Sequence, residues 1–249
     1  MYSTLFINCL EWLHLILFGK RRDPQMMHAG RIIGGKEATP HSRPYMTVVE
    51  RHMSNGRITY CGGFLLREDF VMTAAHCTGS SYKVILGVHN REQLVNTQKI
   101  SVKKTFPNEG YDNDTYRNDI LLLKLNLKAE LTSSVSPIAL AGPEDGEPQM
   151  CSVAGWGRSE NSGKNLTDVL MEVNVTLGPC EFENGDTYFY CSTGRDGIGR
   201  GDSGGPLVCG NQVYGLVSAK IEHFDIHLQN NVGLYLFAYM CSFDCRLCC

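Results

Sequence analysis

Long hydrophobic segments are scarce in this sequence of 249 residues. The apolar stretch at residues 5–18, LFINCLEWLHLILF, is shorter than the roughly 20 residues of a membrane-spanning helix, and Glu11 and His14 interrupt it. We therefore predict no membrane span. The stretch has the length of a signal-peptide core, but the basic residues KRR at 20–22 follow it, whereas a signal peptide carries its positive charge in front. We interpret residues 1–31 as an atypical signal peptide and propeptide, with a different natural start of the chain as the alternative.

Basic residues are not in excess either. Lys and Arg number 23 against 26 Asp and Glu, which leaves a net charge of −3. A charge of this sign and size gives no drive toward polyanions, so we expect neither nucleic acid nor an anionic membrane surface as a partner.

Metal-ligand clusters are equally rare. The segment HFDIH places His223 and His227 at a spacing that suits a metal site on a helix, but no third ligand lies nearby. We expect no metal and no organic cofactor.

Long segments with helical periodicity are also missing. From Ile32 onward, short runs that alternate between apolar and polar residues are broken every ten or so residues by Gly, Pro, Asn and Ser. This pattern predicts an all-β fold whose strands close into barrels or pair in a sandwich. The segment AGPEDGEP at 141–148 has no apolar period and is the best candidate for a linker between two halves. The predicted strands include YMTVVERH at 45–52, YKVILGVH at 82–89, DILLLKLNL at 119–127, LMEVNVTL at 170–177 and VYGLVSA at 213–219.

Cysteine, in contrast, is plentiful, with 11 in the chain. This number is typical of proteins that fold in an oxidising compartment. Three Asn-x-Ser/Thr sequons, candidate sites of N-glycosylation, agree with a secretory route; they start at Asn113, Asn165 and Asn174.

The segment GDSGGP at 201–206 places Ser203 between an aspartate and two glycines, just before an apolar strand. Each of these residue types favours turns, so the motif alone leaves a turn serine and a catalytic nucleophile both open. Three further motifs decide between them: RIIGG at 31–35, TAAHC at 73–77 and RNDILLLKL at 117–125.

These four motifs, in this order, resemble those of the trypsin/chymotrypsin family of serine endopeptidases, and IIGGKEATPHSRPYM at 32–46 and AGWG at 154–157 look most like its granzyme and mast-cell-protease branch. The resemblance runs from Ile32 to about Ser218. It implies two packed antiparallel six-stranded β-barrels, over residues 32–140 and 141–240, with the active site between them.

The resemblance also implies roles for individual residues. Ser203 would attack the scissile carbonyl, His76 would act as general base and then general acid, and Asp119 would orient His76. The backbone N–H groups of Gly201 and Ser203 would form the oxyanion hole.

An activation switch is implied at the start of the domain. Cleavage after Arg31 would free the ammonium group of Ile32, which in the family inserts beside the aspartate that precedes the nucleophile, here Asp202. A buried carboxylate needs a partner charge, so the insertion would set the shape of the nucleophile loop.

The family also suggests how the cysteines pair, since sequence alone does not fix connectivity. The implied disulfides are Cys61–Cys77, Cys151–Cys209 and Cys180–Cys191. Four more cysteines crowd the last nine residues of the chain. This tail departs from the family and is open to three interpretations: a metal-binding tail, an intermolecular disulfide site, or the product of an alternative or mis-assigned exon.

Three positions bear on substrate choice. The resemblance places Gly197 at the floor of the specificity pocket, where trypsin-like members hold Asp, so we expect no preference for Lys or Arg. A shift of the alignment by one residue would instead place Asp196 there. Ser218 and Lys220 fall along the substrate cleft, and the Lys220 side chain would either obstruct it or attract an acidic substrate residue.

Taken together, the sequence predicts a secreted or granule-stored serine endopeptidase zymogen, monomeric, which acts on protein or peptide substrates and is open to serpin-type inhibitors. A catalytically silent homologue or mis-spliced isoform that binds a partner is the alternative, because Lys220 and the tail depart from the family. A disulfide-linked interaction domain without protease ancestry does not explain four ordered motifs.

Overall fold

The computed structural model describes residues 34–146, 148, 150–158, 166–178, 189–194, 197–199, 201–225 and 230–239, with backbone alone at 143, 193–194, 219–225 and 230–239. These residues form fourteen β-strands and two short 3₁₀ helices and contain no α-helix. The all-β prediction is confirmed. The elements in chain order are β1 (Lys36–Glu37), β2 (Met46–His52), β3 (Ile58–Arg67), β4 (Phe70–Thr73), a 3₁₀ helix (Ala75–Cys77), β5 (Ser81–Leu86), β6 (Gln98–Pro107), β7 (Leu121–Leu125), β8 (Ala139–Leu140), a second 3₁₀ helix (Pro143–Asp145), β9 (Met150–Gly155), β10 (Met171–Gly178), β11 (Phe189–Gly194), β12 (Pro206–Cys209), β13 (Gln212–Asp225) and β14 (Asn230–Tyr239).

Strands β2 to β7 form a closed barrel in the order β2-β3-β4-β7-β6-β5. The alternation of β5, SYKVIL, is visible in its burial, since Tyr82 and Val84 face the interior while Ser81 and Lys83 are exposed. Closure leaves no free strand edge and lets one face of every strand pack into a common core. The largest fully buried side chains of that core include Phe64, Leu65, Met72, Leu122 and Leu123.

The remaining strands form a second sheet of eight strands. Six of them pair in a complete antiparallel ring, from β9 to β10, β11, β14, β13, β12 and back to β9. The short strands β1 and β8 attach to β10 and β13. Buried apolar residues inside this ring include Val153, Val173, Leu207 and Val217.

The sheet continues well beyond Ser218, where the resemblance was expected to end. Strands β13 and β14 pair from Gly215↔Tyr239 to Asp225↔Asn230, and β14 also pairs with β11. The chain after Lys220 therefore supplies part of the second ring. The cysteine-rich tail at 240–249 and His227 lie outside the described residues.

Two disulfides with both cysteines described link elements within the two sheets. Cys61–Cys77 joins β3 to the first 3₁₀ helix, and Cys151–Cys209 joins β9 to β12. Cys191 is disulfide-bonded as well, while its expected partner, Cys180, lies outside the described residues. Among the described residues, no helix is long and apolar enough to cross a membrane.

Candidate active site

His76 and Asp119 meet because their two strands are neighbours. Strands β4 and β7 run antiparallel with Thr73 opposite Leu121, so the end of β4 and the start of β7 lie at the same edge of the barrel. His76 follows β4 on the 3₁₀ helix, and Asp119 lies two residues before β7. The ring Nδ1 of His76 lies 2.7 Å from Asp119 Oδ2, and the backbone N–H of His76 donates to Asp119 Oδ1 over 2.8 Å.

The second sheet contributes a further donor to this carboxylate. Asp119 is fully buried, and Ser218 Oγ donates to its Oδ2 over 2.6 Å. Ser218 lies on β13 where the register shifts between Val217 and Ala219, so a local irregularity in that strand directs its hydroxyl toward the first barrel. Three donors, the backbone N–H and ring Nδ1 of His76 and the hydroxyl of Ser218, hold this carboxylate in a fixed position.

Ser203 lies in a tight loop that packs against both β3 and the end of β4. Gly62 N–H donates to the Ser203 carbonyl over 2.8 Å, and Cys77 Sγ lies 3.9 Å from the same oxygen. The next residue, Gly204, has φ +81°, and a Cβ there would lie 2.1 Å from Thr73 Oγ1. A glycine is therefore required for this close approach, which brings Ser203 beside the element that carries His76.

The side chains of Ser203 and His76, both described in the structure, are not hydrogen-bonded to one another. Within the described ranges, the His76 ring bonds to Asp119 through Nδ1, and Ser203 Oγ has no hydrogen bond to the ring. Such bonds are often long in enzymes without substrate and shorten when substrate is bound. The structure thus joins His76, Asp119 and Ser218 directly and places Ser203 beside them through backbone contacts.

Asp202, the residue that precedes Ser203, is a second buried carboxylate. It is fully buried, and its two oxygens accept 2.7 Å hydrogen bonds from the backbone N–H groups of Gly157 and Gly199. Burial raises its pKa to about 7, although both hydrogen bonds act in the opposite direction. Arg31 and Ile32, the predicted activation residues, lie outside the described residues.

We expect Asp202 to make the stability of the uncleaved chain depend on pH. Its pKa in the fold, about 7, lies above the ordinary value of 3.8, so its contribution is fully present below about pH 4 and is lost as the pH rises through 7. The loss amounts to about 4 kcal/mol at most. Urea unfolding of the uncleaved chain at a series of pH values measures it, and Asp202→Asn should remove this dependence.

Asp69 provides a matched control for that experiment. Lys124 and Arg67 hold the pKa of the Asp69 carboxyl below its ordinary value despite some burial, so its contribution has the opposite sign and is lost as the pH falls. Asp69→Asn should therefore leave the decline between about pH 4 and pH 7 unchanged. Equal pH dependence in the native and Asp202→Asn chains would contradict the assignment.

The predicted pocket residues are only partly described. Gly197 is buried, and Ser218 bonds to Asp119. Lys220 lies on β13 opposite Tyr235, with only its backbone described, and Asp196 lies outside the described residues. The structure therefore fixes the path of the chain at Gly197 and Lys220.

Two residues at the site were not found from the sequence. The Tyr116 ring contacts the His76 ring edge-on, with centroids 5.8 Å apart, and its φ of +57° is unusual for a non-glycine residue. Arg51 Nη1 donates to the carbonyls of His76 and Thr78 and so holds the histidine turn from behind. Tyr116 could have been found from its position three residues before Asp119, but Arg51 lies in a strand with no local signal.

The two sequon asparagines that the structure describes are exposed. Asn113 is exposed in the loop at 108–118, Asn174 is exposed on β10, and Asn165 lies outside the described residues. The described part of the chain contains no group of three side chains that could hold a metal ion.

Residues 32–236 match the sequence profile of the family described as "Trypsin". The match starts at Ile32 and extends past Ser218 into β14, in agreement with the extended second sheet.

The chain is also similar to several individual proteins. It is 44% identical over 209 residues to granzyme-like protein 2 of Rattus norvegicus, covering 80% of this chain and 84% of that protein. It is 44% identical over 205 residues to granzyme B of Homo sapiens, covering 76% of this chain and 81% of that protein. A solved structure of granzyme C superposes with a TM-score of 0.75 at 37% identity, covering 85% of this chain and 96% of that one.

Proposed function

The chain belongs to the trypsin family and is a serine endopeptidase of the granzyme type, and from this premise we propose that His76, Asp119 and Ser203 are its catalytic residues. The observation that carries the proposal is the network of Asp119 with His76 and Ser218, at the edge where the Ser203 loop packs. A buried carboxylate that holds an imidazole beside a serine loop is the arrangement that activates a hydroxyl nucleophile.

The hydrogen bond to Asp119 sets the direction of proton transfer. Because the carboxylate accepts from Nδ1 of His76, the neutral ring carries its proton there and leaves Nε2 as the base. Ser203 Oγ forms a bond to the scissile carbonyl carbon while its proton passes to Nε2. The imidazolium then gives that proton to the departing amine, and water repeats the sequence to release the acyl group.

The oxyanion formed in each step needs donors that are otherwise unused. Among the described residues, the backbone N–H groups of Gly201 and Ser203 have no protein acceptor, which supports their role as the oxyanion hole. Gly201 has φ +107°, a conformation that L side chains rarely adopt, and a Cβ there would lie 2.5 Å from Leu166 Cδ2, so the loop needs a glycine at this donor.

Activation by cleavage after Arg31 would give the buried Asp202 a positively charged partner, which none of the described residues supplies. Asp202 lies between Gly201 and Ser203, so any movement of its carboxylate is passed to both oxyanion N–H groups. A new ammonium group at Ile32 would pair with the carboxylate, favour its ionised form and fix this loop.

We expect labelling of Ser203 by a fluorophosphonate to depend on that cleavage. Without the ion pair, the oxyanion donors are not held in place, which should slow labelling by about 10²- to 10³-fold. The experiment compares labelling rates before and after limited digestion at Arg31, with the new N-terminus identified by sequencing.

Arg31→Gln should block this activation, whereas Arg57→Gln, at an exposed turn of the first barrel, should leave it intact. Equal labelling of the cleaved and uncleaved chains would rule out the switch.

The substrate preference follows from the pocket floor. With Gly197 at that position the floor carries no charge, so we propose that the enzyme does not select Lys or Arg and instead accepts a large apolar side chain. By the family resemblance Lys220 would line the substrate cleft, where its side chain would either narrow the cleft or attract an acidic substrate residue.

We further propose that the enzyme is secreted or stored in granules and that it meets protein substrates and serpin-type inhibitors as a monomer. Its relatives of the granzyme type are granule-stored or secreted proteins. The disulfides Cys61–Cys77 and Cys151–Cys209 agree with folding in an oxidising compartment.

A further inference from the structure

We propose that Asn113 carries an N-linked glycan at the entrance to the active site, and that this glycan slows the hydrolysis of folded proteins more than that of peptides. The second half of the proposal rests on the proposed function, whereas the first concerns the chain alone. The sequon Asn113-Asp114-Thr115 meets the chemical requirement for the modification.

The sequon lies at the exposed tip of a defined loop. Asp112 N–H donates to the Arg117 carbonyl over 3.1 Å, which brings the two sides of the tip together. The Asp112 carboxylate accepts hydrogen bonds from the backbone N–H groups of Asp114 and Thr115, an arrangement that stabilises a tight turn. Asn113 at this tip is exposed, so the fold leaves room for a bulky sugar.

The orientation of the Asn113 amide also suits the modification. Tyr111 OH donates to Asn113 Oδ1 over 3.2 Å, which leaves the amide nitrogen, where the sugar is attached, without a partner among the described residues. Burial and the charge of Asp119 raise the pKa of Tyr111 to about 12, so this hydroxyl remains a donor at any physiological pH. The fold can therefore keep the same contact when the glycan is present.

The loop places this glycan beside the catalytic histidine. The Tyr116 ring contacts the His76 ring at a centroid distance of 5.8 Å. Asn113 precedes Tyr116 by three residues, so the two Cα atoms are at most about 11 Å apart even in an extended chain. A branched, hydrated sugar attached this close to Tyr116 and His76 would obstruct the approach of a folded protein substrate. A short flexible peptide would still reach the active site.

Two pairs of variants test the proposal. The full chain, preceded by a strong secretion signal, is made in mammalian cells, and occupancy at Asn113 is read by mass spectrometry of glycopeptides. Asn113→Gln and Thr115→Ala each destroy the sequon, whereas Thr115→Ser keeps it and the loop backbone contacts. Asn174→Gln removes a sequon on β10, on a strand outside this loop, and serves as the second control.

Activity is then compared on a set of native proteins and on peptides made from the same proteins. We expect Asn113 to be occupied, and both sequon-destroying variants to cleave the native proteins several-fold faster with the rate on peptides unchanged. Thr115→Ser and Asn174→Gln should behave like the native chain.

An unoccupied Asn113 in the secreted chain would overturn the modification. If Asn113 is occupied but the sequon-destroying variants cleave native proteins no faster than the native chain does, the proposed effect of the glycan on folded substrates is wrong. A cleaved chain that neither reacts with fluorophosphonate nor hydrolyses peptides would instead overturn the proposed function, and with it the proposed effect of the glycan on substrate choice. The mass measurement would still show whether Asn113 is modified.

Discussion

Replacing Ser203 with alanine in the chain cleaved at Arg31 is expected to abolish fluorophosphonate labelling and to lower kcat on a peptide mixture by about 10⁶-fold. The reason is that hydrolysis then loses the covalent acyl step, while the oxyanion donors and the substrate contacts remain. His76→Ala should cost nearly as much, and the double variant should lose little more, because the two residues act as one unit.

A serine elsewhere on the first barrel provides the control. Ser101 is exposed on β6, so Ser101→Ala should label and hydrolyse like the native chain. If Ser203→Ala retained activity, another nucleophile would have to be found. If the native cleaved chain were folded yet inactive, the silent-homologue alternative would replace the enzyme proposal, and attention would move to Lys220 and the tail.

Several parts of the site could be predicted from sequence because they depend on chain order alone. His76 follows an apolar strand and Asp119 precedes one, and the antiparallel pairing of β4 and β7 is enough to bring them together. Gly204 is likewise part of the GDSGGP motif. The need for a glycine there comes from a tertiary contact, because a Cβ at this position would lie 2.1 Å from Thr73 Oγ1.

Other parts could not be predicted because they depend on packing between distant segments. The hydrogen bond from Ser218 to Asp119 spans 99 residues and relies on a register shift in β13. Arg51 supports the histidine turn from a neighbouring strand. The recognisable motifs end near Ser218, whereas the family match continues to residue 236, because the segment that follows is held by the pairing of β13 with β14 and not by a distinctive motif.

Converting Asp119 to asparagine is the second large effect that we expect, a drop in kcat of about 10⁴-fold with little change in the fold. The asparagine oxygen can still accept from the His76 backbone N–H, so the turn keeps its 2.8 Å contact. Its amide nitrogen would then face Nδ1 and donate to it, which forces the ring proton onto Nε2. The ring would point a proton at Ser203 and could not accept one.

The control for this change is Asp69→Asn, which alters another largely buried carboxylate, paired with Lys124 at the opposite end of β4 from His76. We expect it to lower stability and to leave kcat unchanged. Ser218→Ala separates orientation from charge, because it removes one donor to Asp119 and keeps the carboxylate, so its loss in kcat should be far smaller than that of Asp119→Asn. The measurement is kcat and KM for the three cleaved variants at several pH values, together with their unfolding midpoints. An Asp119→Asn chain that is folded and as active as Asp69→Asn would show that His76 takes its proton by another route, and the catalytic assignment would then fail even if Ser203 were labelled.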